Sequence, residues 1–336
     1  MRTVVCQAPF EVRLTDRPAP EAADGEVLVR IRRVGLCGTD YHIFSGRHPF
    51  LTYPRVMGHE LAGEIVTSPI GSSFQEGQVV AINPYLECGH CVACRRGKPN
   101  ACVNIRVLGV HVDGGMCEMI AVPERAVIDA KGLTLDQAAM LEFLAIGAHA
   151  VARARLAVGD SVLVVGAGPI GVATALFARL DGAAVTLVDT REARLTYARE
   201  RLGMASTAVA GPELAATLSR LTSGDMFDTV FDATGSLPAM TQSLGYVAHG
   251  GSLVLVGVST GDLVYPDPEF HKREATLIGS RNALSRDFDR VIGAMQAGDI
   301  PYEALLTHEV QAEDLAEGIP RLIVQADSVL KAIAHF

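Results

Sequence analysis

The sequence predicts an α/β protein with two parts, a mainly β domain and a doubly wound parallel sheet. Short alternating segments dominate the chain up to about Glu142, and from Ser161 onward apolar strands alternate with helical segments. A glycine-rich turn, Gly166–Gly171, joins the first of those strands to a helix. The length of 336 residues suits two domains, at about 100–200 residues per domain, and excludes a single small module.

The N-terminal part of the chain is typical of an irregular, largely β domain. Its segments alternate apolar and polar residues, as half-buried strands do. Examples are Val27–Val34, Leu61–Val66 and Gln78–Ile82. We therefore expect strands with one face toward a core and the other toward water.

The second part has the pattern of a parallel sheet with helices on both faces. Helical periodicity appears between the strands, as at Ile170–Leu180 and Arg191–Leu202, and two further helices and a short strand are predicted after Gly279. The predicted strands of the sheet are Val162–Val165, Ala184–Val188, Thr229–Asp232, Ser252–Val256 and Ala275–Ile278, and the C-terminal elements are Phe288–Ala297, Ala312–Ile323 and Leu330–Ala334.

Composition narrows the possible function classes. Apolar residues make up 49% and charged residues 20% of the chain, so a sizeable core is expected. The 29 Lys and Arg against 38 Asp and Glu give a net charge of −9, which disfavours nucleic acid and anionic lipid as partners. Seven cysteines, an odd number, argue against a fully paired disulfide framework and favour reduced thiols or metal ligands. Small-molecule chemistry is the expectation.

Two segments bear on location. The N-terminus lacks the long apolar stretch of a secretory signal, which predicts a cytoplasmic protein. Ser161–Ala178 carries no charge and approaches the ~20 apolar residues of a membrane span. Its β-branched start, its three glycines and Pro169 instead favour a buried strand, a turn and a buried helix, so no membrane association is expected.

The glycine-rich turn indicates a dinucleotide site. In Gly166-Ala-Gly-Pro-Ile-Gly171, Gly166 permits a tight turn, Gly168 lets the backbone approach a pyrophosphate, and Gly171 allows close packing of the helix. Pro169 and Ile170 begin the helix whose N-terminus faces the phosphates. The alternative is a glycine turn without a ligand.

An acidic residue follows the next predicted strand and bears on the choice of cofactor. Asp189 stands at the end of Ala184–Val188, where a carboxylate can accept hydrogen bonds from ribose hydroxyls and repel a 2′-phosphate. The alternative role for Asp189 is to cap the next helix. Arg191 and Arg194 could reach a 2′-phosphate, although we expect Arg194 along the adenine face. The prediction is NAD.

Four cysteines in one loop predict a structural metal site. Within fifteen residues, Cys88, Cys91, Cys94 and Cys102 form a C-x2-C-x2-C-x7-C series. Four thiolates can close a tetrahedron around one Zn²⁺, and a site without an open position is structural. Iron–sulfur ligation uses a different usual spacing, and a disulfide framework does not suit the expected compartment. The zinc lobe is thus residues 88–102.

A second set of candidate ligands is spread along the chain. Cys37, His59 and a carboxylate, from Glu60 or Glu142, would supply about three protein ligands and leave one position open, as a catalytic zinc requires. Each of these residues alone is more often structural, since a lone Cys packs as a small apolar residue and a lone His is hydrogen-bonded.

Together these motifs closely resemble the zinc-dependent medium-chain alcohol dehydrogenases, and within them the sorbitol and threonine dehydrogenase branch. The resemblance rests on Cys37-Gly-Thr-Asp40, Gly58-His-Glu60, the four-cysteine lobe and the glycine turn, in this order. It implies a GroES-like catalytic domain at 1–145 and 280–336, interrupted by a Rossmann domain at 146–279, with the active site between them. It also implies two zinc ions and NAD per chain.

The resemblance implies roles for individual residues. Cys37 and His59 match zinc ligands, Glu60 matches the acidic residue beside the metal, and Glu142 matches a glutamate ligand position, although Phe143 stands where the family commonly has Pro. Which of the two glutamates binds zinc at rest stays open. Thr39 would take the substrate proton, His42 would pass it to solvent through the cofactor ribose, and Asp40 would orient His59.

Substrate and assembly are also expectations from the resemblance. The segments Phe270–Glu274 and Leu277–Asn282 are similar to dehydrogenases of sugar acids such as L-galactonate or L-gulonate, with Lys272 or Arg281 as partners for a substrate carboxylate. Equally, Arg281 could lie near the cofactor and Lys272 at the surface. The alternatives are a 2,3-butanediol or threonine dehydrogenase-like activity, or a non-catalytic nucleotide-sensing relative. A homodimer or homotetramer is expected.

Overall fold

The computed structural model describes residues 1–48 and 51–336, and these separate into two compact units. Unit 1 comprises Met1–Glu142, Leu284–Gly298 and Leu305–Phe336, and unit 2 comprises Phe143–Ala283 and Asp299–Ala304. The expected boundaries, after residues 145 and 279, differ from these by three and four residues. Residues 299–304 also group with unit 2, whereas the sequence analysis placed them in the catalytic domain.

Strands carry most of unit 1, and strands alternate with helices in unit 2. The strands are β1 (Arg2–Ala8), β2 (Glu11–Asp16), β3 (Glu26–Leu36), β4 (Arg55–Val56), β5 (Glu60–Thr67), β6 (Val79–Ile82), β7 (Tyr85–Leu86), β8 (Arg106–Val107), β9 (Met119–Pro123), β10 (Val127–Asp129), β11 (Ser161–Val165), β12 (Ala184–Asp189), β13 (Ser206–Val209), β14 (Phe227–Asp232), β15 (Val247–Leu255), β16 (Thr276–Gly279), β17 (Leu306–Gln311) and β18 (Lys331–His335).

The helices follow the same division. They are α1 (Gly38–Phe44), α2 (Val92–Arg95), α3 (Leu135–Ala139), α4 (Leu141–Ala154), α5 (Pro169–Leu180), α6 (Glu192–Leu202), α7 (Leu214–Leu221), α8 (Leu237–Ser243), α9 (Asp267–Lys272), α10 (Ser285–Gln296), α11 (Tyr302–Leu305) and α12 (Leu315–Val324). Short 3-10 helices lie at Pro99–Ala101, Glu124–Ala126, Leu244–Tyr246 and Ala312–Asp314.

Unit 2 is built on a parallel sheet with the strand order β13-β12-β11-β14-β15-β16. The order reverses between β11 and β14, and in open α/β sheets ligands bind beyond the carboxyl ends of the strands at such a reversal. Val162–Val165 of β11 is buried, as expected for a strand covered on both faces. The prediction of a doubly wound sheet is confirmed.

Unit 1 contains a mixed sheet with the order β10-β6-β5-β3-β18-β17, and β9 also pairs with β3. Its pairs are antiparallel except for β17 and β18. The sequence pattern did not predict β17. In the register across β3, Gly35 lies opposite Glu60 of β5, and Leu36 lies opposite Ala332 of β18. This register brings the chain's C-terminal strand beside residues from its first sixty.

The uncharged segment Ser161–Ala178 forms β11, the glycine turn and most of α5, as predicted. Val172–Ala178 is buried along α5. In the described part of the chain, no helix combines the length and the apolar character needed to cross a bilayer.

Candidate active site

Asp40 ties together the two segments that carry Cys37 and His59. Its carboxylate accepts a hydrogen bond from the backbone N–H of Cys37 at 2.8 Å and another from the backbone N–H of Gly58 at 3.2 Å. The Asp40 side chain is fully buried. His59 Nδ1 lies 3.9 Å from Asp40 Oδ1, which is too far for a hydrogen bond. Asp40 therefore positions the backbone of both segments. The expectation that Asp40 orients the His59 ring by a direct hydrogen bond is not met.

Gly58 sets the direction in which the chain enters β5. Its φ of +89° lies in the left-handed region, and a Cβ there would be 2.9 Å from Val34 Cγ1. A side chain at this position would be strained and crowded. The turn at Gly58 is thus what delivers His59 and Glu60 to the buried start of the strand.

Cys37, His59 and Glu60 form a set of metal-ligand atoms. One ligand atom from each residue lies within 4.8 Å of the other two. His59 and Glu60 are buried, and His59 Nδ1 has no hydrogen-bond partner among the described residues. Burial alone would lower the pKa of His59, but Asp40 and Cys37 raise it well above its usual value. A thiolate, an imidazole and a carboxylate fit zinc with a fourth position open.

Glu142 lies outside that set. It is the second residue of α4, and its Oε1 accepts a hydrogen bond from the Tyr85 hydroxyl. Its Oε2 is buried and has no hydrogen-bond partner in residues 1–48 and 51–336. Burial, together with the Glu60 carboxylate, raises the pKa of Glu142 to about 7 against the opposing effect of His59. No sequence motif indicates Tyr85, because a single Tyr in the two-residue strand β7 carries no recognisable pattern.

Lys331 is a second site residue that belongs to none of the sequence motifs. Its Nζ lies 2.7 Å from both carboxylate oxygens of Glu60, and its side chain is 1% exposed. Burial alone would lower the pKa of Lys331, but Glu60 raises it above its usual value. A signal was present, since a charged residue stands inside the apolar strand predicted at Leu330–Ala334.

Thr39 and His42 both lie on α1, three residues apart and so on one side of the helix. Thr39 is half-buried and His42 is exposed. The N-cap residue of α1 is Cys37, so Thr39 is not the cap of this helix. Partial burial and the neighbouring Arg47 lower the pKa of His42, so its ring is mostly neutral at pH 7 and can accept a proton.

The four cysteines of the lobe at 88–102 converge on one point. The Sγ atoms of Cys91 and Cys94 are 3.5 Å apart, those of Cys88 and Cys102 are 3.5 Å apart, and those of Cys91 and Cys102 are 3.9 Å apart. Zinc–sulfur bonds of about 2.3 Å in a tetrahedron require about 3.8 Å between sulfurs. Hydrogen bonds from the backbone of Cys94 and Val103 lower the pKa of Cys91 to about 6. The donor set fits a closed zinc site.

We expect replacement of Cys91 by Ser to remove one zinc per chain and to lower the free energy of unfolding by more than about 4 kcal/mol. A loop with few apolar contacts depends on its metal for folding, and structural zinc contributes folding free energy directly. Elemental analysis and urea unfolding measure the two effects. Cys117→Ala, which removes a buried thiol outside the lobe, should retain both ions. Full zinc content in Cys91→Ser would contradict the assignment.

The glycine turn of unit 2 leaves space for a ligand at the end of β11. Gly166 has a φ of +103°, and a Cβ on Gly171 would lie 1.7 Å from the Gly166 carbonyl oxygen. At Gly168 a Cβ would meet only Arg194 Nη1, at 3.8 Å. α5 begins at Pro169 directly after this open position, and Ile170 follows as its second residue. A helix N-terminus behind an open glycine fits the diphosphate of a dinucleotide.

Asp189 stands at the end of β12, beside the turn. Its carboxylate accepts hydrogen bonds from the backbone N–H groups of Ala167 at 2.7 Å and Arg191 at 2.8 Å, and Arg194 Nη1 lies 3.9 Å from it. The N-cap residue of α6 is Arg191, and no side chain caps the helix, so the bond from Asp189 to the Arg191 N–H fixes the segment before α6 without making Asp189 the helix cap. Each oxygen retains capacity for a further hydrogen bond.

Lys272 and Arg281 belong to unit 2. Lys272 Nζ pairs with Glu269 at 2.7 Å on α9, and both side chains are about half exposed. A substrate carboxylate would have to compete with Glu269, which favours the surface role for Lys272. Arg281 is exposed and follows β16 by two residues.

Comparison with known proteins extends these observations to the whole chain. Residues 23–132 match the alcohol dehydrogenase GroES-like domain family, and residues 169–297 match the zinc-binding dehydrogenase family. L-galactonate-5-dehydrogenase of Escherichia coli K12 is 41% identical over 339 residues, covering 100% of this chain and 99% of that protein.

Two solved structures have the same fold. The short chain alcohol dehydrogenase RspB of Escherichia coli CFT073, complexed with NADH, has a TM-score of 0.93 at 28% identity, covering 100% of this chain and 99% of that one. L-idonate 5-dehydrogenase of Escherichia coli K-12 has a TM-score of 0.89 at 28% identity, covering 100% and 98%. The chain belongs to the zinc-dependent medium-chain alcohol dehydrogenases, NAD-dependent oxidoreductases that act on CH–OH groups.

Proposed function

We propose that this enzyme oxidises a secondary hydroxyl group of a polyol or sugar acid, of the L-galactonate or L-gulonate type, with NAD as hydride acceptor. The observation that carries the proposal is the set Cys37, His59 and Glu60, in which His59 and Glu60 are buried and one ligand atom from each residue lies within 4.8 Å of the others. The 41% identity to an L-galactonate-5-dehydrogenase over the full chain supports the substrate class.

In the proposed reaction, Cys37, His59 and Glu60 hold a zinc ion and Cys88, Cys91, Cys94 and Cys102 hold a second. When bound, zinc would supply Lewis acidity to the substrate hydroxyl, and NAD would be the hydride acceptor. Thr39 receives the hydroxyl proton and relays it, and the neutral His42 ring, exposed on the same side of α1, delivers it to solvent. Gly166, Gly168 and Gly171 orient the cofactor diphosphate.

The substrate class is tested with a panel of hexonates, hexitols, vicinal diols and hydroxy amino acids, measuring NADH production. We expect the highest kcat/KM for a hexonate. A clear preference for a diol or a hydroxy amino acid would favour the butanediol or threonine dehydrogenase alternative, and no turnover on any class would favour the nucleotide-sensing one. Arg281 is our candidate for the substrate carboxylate, so Arg281→Met should raise KM for hexonates but not for hexitols.

Cofactor preference gives a further prediction. We expect Asp189→Asn to reduce the ratio of kcat/KM for NAD over NADP by about tenfold or more, because a charge that repels a 2′-phosphate is removed while an oxygen remains for Ala167 N–H. Steady-state kinetics with both cofactors measure it. Asp228→Asn, whose carboxylate accepts from Ser161 N–H at 2.8 Å in the same unit, is the control. An unchanged ratio in Asp189→Asn would exclude this role.

We also propose a cytoplasmic enzyme that forms a homodimer or homotetramer. Support for the location comes from five free cysteines, Cys37, Cys88, Cys91, Cys94 and Cys102, whose proposed ligand roles require reduced thiols. Support for assembly comes from β16, which lies at the edge of its sheet and can pair with a second copy. Sedimentation analysis distinguishes a dimer from a tetramer.

A further inference from the structure

Lys331 is among the largest fully buried side chains of the described residues. A buried ammonium group costs free energy unless a counter-ion and further hydrogen bonds satisfy it. Here Nζ contacts Glu60 Oε1 and Oε2 at 2.7 Å each and the carbonyl oxygen of Leu36 at 3.2 Å. The ion pair therefore belongs to the candidate zinc site and is not an exposed pair of small effect.

The fold makes room for this pair at Gly35. A Cβ on Gly35 would lie 2.1 Å from Glu60 Oε2 and 2.9 Å from Glu60 Cβ. Gly35 does not have a positive φ, so the absent side chain serves space and not backbone freedom. Across β3, Gly35 pairs with Glu60 on one side and with Ile333 on the other. Three adjacent strands thus bring the Glu60 carboxylate into contact with Lys331 and within 4.8 Å of the ligand atoms of Cys37 and His59.

Two cations can bind the Glu60 carboxylate: the ammonium group of Lys331 and a zinc ion at the candidate site. The Glu60 oxygens already accept from Lys331, and the same residue provides one of the ligand atoms grouped with Cys37 and His59. Negative charge drawn toward an ammonium group is less available to a metal, so the ion pair weakens Glu60 as a ligand. A weaker carboxylate ligand leaves zinc a stronger Lewis acid for the substrate hydroxyl.

We propose that Lys331 competes with the metal for the Glu60 carboxylate and is the positioning residue that sets how firmly Glu60 binds zinc. This inference rests on the proposed catalytic zinc site. It applies both where Glu60 binds zinc at rest and where it binds only transiently, because in either case the ion pair opposes the metal–carboxylate bond.

The test measures release of the catalytic zinc from the purified holoenzyme to a chromogenic chelator. We expect Lys331→Met to keep two zinc ions per chain and to release the catalytic ion about tenfold more slowly. Its kcat should fall about tenfold, which is the size of effect typical of residues that hydrogen-bond to a metal ligand. Lys331→Arg keeps the charge and should restore both values to near those of the unmodified enzyme. A merely structural lysine would not slow zinc release when removed.

Two further variants keep the inference falsifiable if Lys331→Met does not fold. Lys331→Gln retains packing and a hydrogen bond without charge, and should also slow release. Glu60→Gln combined with Lys331→Met removes the anion, so the slow release should disappear. If the folded Lys331 variants keep two zinc ions and release the catalytic ion at an unchanged or faster rate, Lys331 does not have the proposed role. A single zinc ion in the unmodified enzyme would overturn the proposed catalytic site itself.

Discussion

Cys37→Ser should leave one zinc ion per chain and reduce turnover by about a thousandfold or more. Lewis-acid stabilisation of a developing alkoxide is worth several kcal/mol, and each 1.36 kcal/mol is tenfold in rate. Serine lacks the soft thiolate that zinc prefers, although the backbone N–H of residue 37 would still donate to Asp40. Elemental analysis and initial rates measure the two effects.

The control for this prediction is Cys6→Ala. Cys6 is a buried thiol of β1 whose Sγ donates to the carbonyl oxygen of Ala8 at 3.4 Å. Burial raises the pKa of Cys6 to about 11, so it is a neutral packing residue and not a ligand. This variant should retain two zinc ions and normal turnover. If Cys37→Ser loses one zinc ion but keeps normal turnover, that zinc ion is not needed for the reaction and the proposed mechanism is wrong.

Gly171→Ala should weaken NADH binding by about a hundredfold, because displacing a binding group by about 1 Å commonly has an effect of that size. The new Cβ would lie 1.7 Å from the Gly166 carbonyl oxygen and 2.9 Å from its carbon, so the turn or the helix must move. Either movement redirects the N–H groups at the start of α5 away from the cofactor phosphates. Fluorescence titration with NADH measures the affinity.

Gly245→Ala is the matched control in the same unit. A Cβ there has no heavy atom within 4 Å, and Gly245 does not have a positive φ. It should leave NADH affinity unchanged. If both variants bind NADH normally, the close contact between α5 and the turn does not position the cofactor. If Gly171→Ala loses affinity while two zinc ions remain in the chain, the effect is confined to unit 2.

The sequence predicted the fold class because its evidence is local. The β-branched run Val162–Val165, the glycine turn and the periodic segment after it indicate a strand, a turn and a helix from neighbouring residues, and alternation in Val27–Val34 indicates a strand in the same way. The same is true of the four cysteines at 88–102. They lie within fifteen residues, so the short loop between them keeps the four thiolates close enough to bind one ion. The strand β17 escaped prediction because its mixed pattern has no such local signal.

The choice between the two glutamates could not be made from local patterns. Glu60 and Glu142 are both acidic residues near apolar segments, and their local patterns leave open which of them binds zinc at rest. In the folded unit, Glu60 pairs with Lys331, which is 271 residues away, while Glu142 accepts from Tyr85 and keeps one oxygen without a partner. These differences follow from the register of distant strands.

By itself, then, the sequence determined the two-part fold, the dinucleotide turn, the four-cysteine lobe and the identity of Cys37 and His59 as candidate ligands. The tertiary structure decided the environment of each ligand: Asp40 bound to two backbone segments, Gly35 leaving space for a carboxylate, and Lys331 buried against Glu60. The physical reason is that a motif specifies which donor atoms are available, whereas charge, burial and hydrogen bonding come from residues that only strand pairing brings near.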